Sequence, residues 1–191
     1  MTAPEDVLAF WLDELEPKDW YSGASETDAA TRKRFEQTWN AAMEGRHGLW
    51  LTYASGTLAY IILMDQFPRN MFRDTGKAFS SDRYALAASK MAIRKGWDMR
   101  IDEPARQFFY MPLVHSENLC DQDRAVRLLA ERMPEHGAGN LHHARVHREI
   151  IRRYGRFPTR NEALGRRFTG PEREYMDMGG YGAVMRELEP A

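Results

Sequence analysis

The stretch Thr57-Leu58-Ala59-Tyr60-Ile61-Ile62-Leu63-Met64-Asp65-Gln66-Phe67-Pro68-Arg69-Asn70 decides the fold class. Its apolar run, Leu58 to Met64, shows none of the period-two alternation of a half-buried strand, and it falls far short of the roughly 20 residues a bilayer needs. The expected element is a buried helix from about Thr57 to Gln66. Ser55-Gly56 breaks the chain before it. Pro68 ends it, because the residue before a proline is pushed out of the α region.

Helical periodicity continues on both sides of this stretch. Pro4 suits a first turn, with Glu5 and Asp6 complementing the dipole, and Val7, Trp11 and Leu15 recur at i, i+4, i+8. A loop over 16–27 leads to a second helix, capped by Thr27 or Asp28, with Phe35, Trp39 and Met43 on one stripe. Beyond a loop over 68–80, Ser81 caps a fourth helix that Gly96 stops. Pro104 opens a fifth helix to about Ser116, which Pro112 kinks. Asn118 or Asp121 starts a sixth, and a seventh runs from about Asn140 to Tyr154, stopped by Gly155. Short helical stretches follow at Thr159 and Gly170-Pro171, and the tail Gly179-Gly180-Tyr181-Gly182 reads as loose. Near-zero strand content and short loops imply an all-α chain, a single domain over 1–191 of about eight helices with antiparallel neighbours.

Composition bounds the function classes. The chain has 191 residues, 43% of them apolar and 29% charged, so it can bury a core without metal or disulfide support. Its one cysteine, Cys120, excludes an intrachain disulfide and a thiolate zinc cluster. The opening Thr2-Ala3-Pro4-Glu5-Asp6 lacks the basic start of a secretory signal, and the expected compartment is the cytoplasm, with no membrane association. A net charge of −1 argues against a dedicated nucleic-acid binder. Residues 1–48 are nonetheless acidic and 141–175 basic, which we read as solvated helix faces and internal pairing rather than a phosphate surface.

Three long motifs carry a resemblance. Leu63-Met64-Asp65-Gln66-Phe67-Pro68-Arg69-Asn70-Met71-Phe72-Arg73, Phe108-Phe109-Tyr110-Met111-Pro112-Leu113-Val114-His115-Ser116-Glu117 and Tyr154-Gly155-Arg156-Phe157-Pro158-Thr159-Arg160-Asn161 stand in the order of one family's marker motifs, with Phe10-Trp11 before them. The chain resembles the bacterial domain of unknown function 924 family over nearly its whole length. The resemblance implies a TPR-like α-α superhelix. It brings no reaction and no catalytic residues with it.

The candidate site residues are polar groups on faces that should be apolar, or at helix ends, because burying an unpaired charge is costly. Asp65 points with the apolar face of its helix, and Arg69 and Asn70 follow it. The three can orient an anionic ligand or pin a loop by a salt bridge. His115 shares a stripe with Phe108 and Met111, near Glu117, and suits either a general base or a core histidine. His143 and His147 have the i, i+4 spacing of a metal pair, but no HExxH or third ligand accompanies them, so no metal and no cofactor is expected. His147 and Arg148 are expected to pack against another helix's carboxylate. Arg160 and Asn161 repeat the Arg-Asn pair of the first motif and offer planar donors for carboxylate or phosphate.

Two functions fit these residues. One is a binding module for a peptide or small anionic molecule, the partner class the concave face of a TPR-like stack accommodates. The other is a hydrolase-like small-molecule enzyme with His115 or His147 as base and arginines as stabilisers. The oligomeric state is not legible in the residues.

Overall fold

The computed structural model describes residues 2–21 and 23–189, whose regular elements are all helices, joined by turns and loops, with no strand among them. The all-α class is as expected, while the TPR-like stacking remains an implication of the family resemblance. No helix among the described residues is long and apolar enough to cross a membrane. The chain separates into two units, Met1–Pro112 and Leu113–Ala191.

The first unit is built around the stretch that carries Pro68. Helix α3 (Ala54–Ile61) does not stop before the proline, as the sequence predicts. It widens into a π-helical turn (Ile62–Gln66) and continues as α4 (Phe67–Met71). A proline in a helix loses its own N–H and crowds the carbonyl four residues back, here that of Met64. The π turn, closed by the Phe67 N–H on the Ile62 carbonyl, changes the spacing just where that crowding falls. The Met64 carbonyl is then satisfied from outside the helix: Ser81 Oγ donates to it at 2.6 Å and accepts from Trp39 Nε1 at 3.1 Å. Ser81 therefore precedes α5 (Asp82–Arg94) without capping it by its side chain.

Around this helix pack α1 (Pro4–Leu8, running on as a π turn over Ala9–Glu14) and α5, while α2 (Ser25–Met43) packs on α4. The core is aromatic. Phe67 lies 4.8 Å from Phe35 and 5.4 Å from Trp11 between ring centroids, and Phe10, Trp20 and Phe108 complete the cluster. The Phe10-Trp11 pair of the sequence thus sits at its centre. Gly56 does not break the chain either. It lies buried inside α3, where a Cβ would come within 2.6 Å of both the Trp50 carbonyl and the Tyr53 ring.

The segment expected as one helix from Pro104 is instead a 3-10 turn (Ala105–Phe109) followed by the short α6 (Met111–Val114), consistent with the hydrogen bond Pro112 removes. In the second unit, α7 (Leu119–Arg132) starts at Asn118, whose side chain accepts from the Cys120 and Asp121 N–H groups. Helix α8 (Ala138–Tyr154) ends at Gly155 with φ +70°. Thr169 and Glu172 form a capping box on α9 (Gly170–Asp177). The tail expected to be loose is helix α10 (Gly180–Glu187). Gly179 and Gly180 take positive φ at its start, and Val184 is buried with Val146, Ile150, Ile151, Phe157 and Tyr175. Two glycines read as looseness are here the entry to a helix held by its apolar face.

Gly56→Ala tests the close approach. Helix propensity alone would favour alanine by about 1 kcal/mol. The 2.6 Å clash with a backbone carbonyl should outweigh this and lower urea-unfolding stability by ~1–3 kcal/mol. A stabilised variant would mean that the site has room.

Candidate functional site

The first-motif residues lie on the π turn and on α4. Asp65 is fully buried. Its carboxylate accepts from Gln66 Nε2 at 2.5 Å and lies 3.4 Å from Arg69 Nη1. Arg69 also donates to the Asp65 carbonyl and makes a two-pronged pair with Asp82 at 2.9 and 3.0 Å. Burial opposes the Arg69 charge, but Asp65 and Asp82 outweigh it and hold its pKa above the ordinary arginine value. Arg69 thus ties α4 to the start of α5.

Asn70 faces elsewhere. Its amide donates to Asp28 in the first turn of α2 at 2.8 Å, and Arg73 grips the same carboxylate through Nε and Nη2, both at 2.9 Å. Beside these groups lies an open groove of about 560 Å³, lined among others by Asp28, Arg32, Asn70, Arg73, Thr75 and Lys77. Three of those six are cations and one is an acid. Arg32 pairs with Glu36 at 3.1 Å and Lys77 approaches Glu36 at 3.6 Å, with its ammonium 3.9 Å from the centroid of the buried Phe72 ring. These are surface pairs, with Arg32 56% and Lys77 46% exposed. Such pairs contribute at most about 1 kcal/mol and can be exchanged for a ligand's charge.

Sequence reasoning found Asn70 but not Arg32, Asp28 or Lys77. Arg73 closes the first motif, and that was the only local signal. Arg32 and Lys77 belong to segments with no motif, and only the packing of α2 on α4 unites them.

In the second unit His147 lies on α8 with Nδ1 3.0 Å from the Val114 carbonyl. A carbonyl only accepts, so the proton sits on Nδ1. The ring packs edge-on to Phe157 at 5.0 Å and Tyr181 at 5.4 Å, and His115 stands 6.3 Å away between centroids. Burial pushes the His147 pKa down to about 3. At neutral pH it is an uncharged packing and hydrogen-bonding group and a weak base. His143 Nδ1 meets the Tyr181 hydroxyl at 2.5 Å. Among the described residues no three His, Cys, Asp or Glu side chains stand together as metal ligands.

Glu117 reaches the start of the third motif's loop. It accepts from the Phe157 N–H at 2.8 Å and from Arg166 at 2.8 and 3.0 Å. Partial burial raises its pKa, but Arg166 and the Phe157 N–H outweigh this and hold it below the ordinary carboxylate range. Arg166 also binds the Asn161 side chain at 2.9 Å, and Asn161 faces Glu172 at 3.4 Å. Arg156 clamps Glu172 at 2.6 and 2.8 Å and lowers its pKa to about 2. Arg160 lies over the Phe157 ring at 4.4 Å, and Arg148 meets Asp123 at 3.5 Å. Glu117 therefore fastens the segment 156–172 to the turn before α7, Asn161 ties that segment together internally, His147 and Arg160 pack on Phe157, and His115 stands beside His147.

The His147 environment has a pH signature. The unfolded imidazole titrates near 6.5 and the folded one near 3, so below pH 6.5 the unfolded chain binds a proton that the folded chain does not. Stability should fall as pH drops from 6.5 toward 5, above the range of ordinary carboxylates. His147→Gln, which keeps a donor for the Val114 carbonyl, should flatten that slope of melting temperature against pH. Equal slopes in the two proteins would contradict it.

The comparisons fit the helical fold. A family model described as a bacterial protein of unknown function (DUF924) matches residues 7–180. The solved structure of a protein of unknown function, ATU0120, from Agrobacterium tumefaciens is similar over 92% of this chain and 97% of that one, with 37% sequence identity and a TM-score of 0.85. No curated protein matches the chain. The order of the three motifs, the span of the family match and the likeness to this structure agree: the chain belongs to the DUF924 family of bacterial proteins.

Proposed function

We propose that the protein is a binding module whose first unit takes a small anionic ligand in the groove beside Asn70. One observation carries this reading. Arg32 from α2 and Arg73 and Lys77 from the segment after α4 line a single open groove of about 560 Å³. That volume lies within the range of small-molecule sites. Arginine supplies planar paired donors for a carboxylate or phosphate, and lysine a mobile point charge. The Asn70 amide and Thr75 add uncharged polar edges to the lining.

The acids of the groove favour reversible binding. Asp28 keeps Arg73 oriented, and Glu36 is shared between Arg32 and Lys77. A ligand carboxylate can replace Glu36 as the partner of Lys77 without uncovering a buried charge, so binding needs no unfolding of the core.

Citrate and inorganic phosphate are suitable probes. Calorimetry at low salt should show saturable citrate binding that weakens as ionic strength rises. Lys77→Glu should weaken it about 10-fold or more, equivalent to ~1.4 kcal/mol, while the variant still unfolds cooperatively with native helix content. Absence of binding by either anion, or equal binding by the variant, would overturn the reading.

A further inference from the structure

His147 is walled in by three elements of the second unit. The Val114 carbonyl of α6 accepts from its Nδ1 at 3.0 Å. The rings of Phe157 and, from α10, Tyr181 stand edge-on to it at 5.0 and 5.4 Å. A proton added at Nε2 would leave a charge shut away from water, so one of these walls must move before the ring can take it.

The groups around it do not favour that charge in place. His147 faces His143 one turn back on its own helix, His115 beyond α6 and Arg160 after Phe157, and each opposes a positive imidazole. His143 faces His142 on α8 and the Tyr181 hydroxyl on α10, with Nδ1 to oxygen at 2.5 Å. Tyr181 is neutral, its pKa pushed up to about 12 by burial. None of these named groups is a carboxylate that would hold an imidazolium.

The three walls differ in how firmly they are fixed. The Val114 carbonyl also accepts from the buried Gln122 of α7 at 2.7 Å. The Phe157 N–H is held by Glu117, which Arg166 clamps. Helix α10 has eight residues, too few to be stable without its packing. It lies on α8 by Tyr181 and Val184, with an Arg153–Glu187 pair at 2.6 Å whose Glu187 is more than half exposed, and such pairs add little. Gly179 and Gly180, at its start, can rotate without a side-chain clash. Arg153 holds the pKa values of Glu187 and Glu149 below the ordinary range, so this pair keeps its charges in mild acid.

We infer that α10 is an acid-released strap, which lifts from α8 at Tyr181 on mild acidification to let water and protons reach His147 and His143 while α7 and α8 stay folded. Lifting uncovers the apolar side chains of Val146, Ile150 and Tyr175, which are covered at neutral pH. The sign follows from linkage. The closed state holds His147 near 3 and the open state returns it to about 6.5, so acid favours the open state. For this one histidine the open-to-closed ratio should rise about 10-fold between pH 7.5 and 5.5.

Hydrogen exchange of the full protein, read by mass spectrometry at these two pH values as protection factors, tests this. Protection of the α10 amides should fall about 10-fold or more, and at pH 5.5 should lie about 10-fold or more below that of α7. His147→Gln, which keeps a donor for Val114, should cut the fall to about threefold or less, the remainder belonging to His143. Protection of α10 that is indifferent to pH would overturn the inference. So would equal protection of α10 and α7 at pH 5.5, since the histidine would then reach water only by unfolding of the whole unit. An undiminished fall in His147→Gln would overturn it too, and the wild-type comparison decides the matter even if that variant does not fold.

Discussion

A proline inside a continuing helix is the constraint on which the first unit depends. Pro68 cannot donate to the Met64 carbonyl, and that carbonyl is in the core, where an unsatisfied acceptor costs about 1–3 kcal/mol. The chain meets this in two ways. The π turn over Ile62–Gln66 changes the helical spacing, and Ser81 donates to the Met64 carbonyl. Ser81 is held in turn by Trp39 of α2. One hydroxyl thus ties α2, the proline-bearing helix and the start of α5 to a single point.

The charged groups around that point follow from it. Because the helix continues beyond Pro68, Arg69 reaches both Asp65 and Asp82, while Asn70 and Arg73 reach Asp28 on α2. Had the helix stopped at Gln66, nothing would hold these side chains in one register. Gln66 and Arg69 face Asp65 and help make it bearable in the core, since a lone buried carboxylate would cost several kcal/mol. The same register turns Asn70 and Arg73 toward the exposed face of α2 and so forms one wall of the groove. In the second unit a parallel device operates at Glu117, which satisfies the Phe157 N–H and Arg166 together.

The sequence made several helix ends legible where the cap or stop has a local cause, but not the start of α2, which begins at Ser25 with no side-chain cap and holds Thr27 and Asp28 inside its first turn. Asn118 caps α7 through its own side chain, Gly155 ends α8 in the left-handed region, and Thr169 with Glu172 starts α9. It misled where the cause is tertiary. Pro68 reads as a stop because its compensating donor, Ser81, is thirteen residues away in sequence. Gly56 reads as a break because the carbonyl and ring that exclude a Cβ are not visible in the chain order. The Gly179-Gly180 pair reads as loose although Val184 anchors the helix that follows. For the groove, Asn70 stood out within a motif. Arg32 and Lys77 did not, since an exposed cation carries no pattern until packing sets it beside others.

The most direct measurement of the central constraint is a double-mutant cycle on Pro68 and Ser81, read by urea unfolding. Ser81→Ala alone should cost ~1–3 kcal/mol, because the Met64 carbonyl loses its donor and Trp39 its acceptor. With Pro68→Ala in place, residue 68 has an N–H to give that carbonyl, and Ser81→Ala should cost less by about 1 kcal/mol. Additive effects of the two substitutions would contradict the account, since Ser81 would then not be standing in for the hydrogen bond that the proline removes.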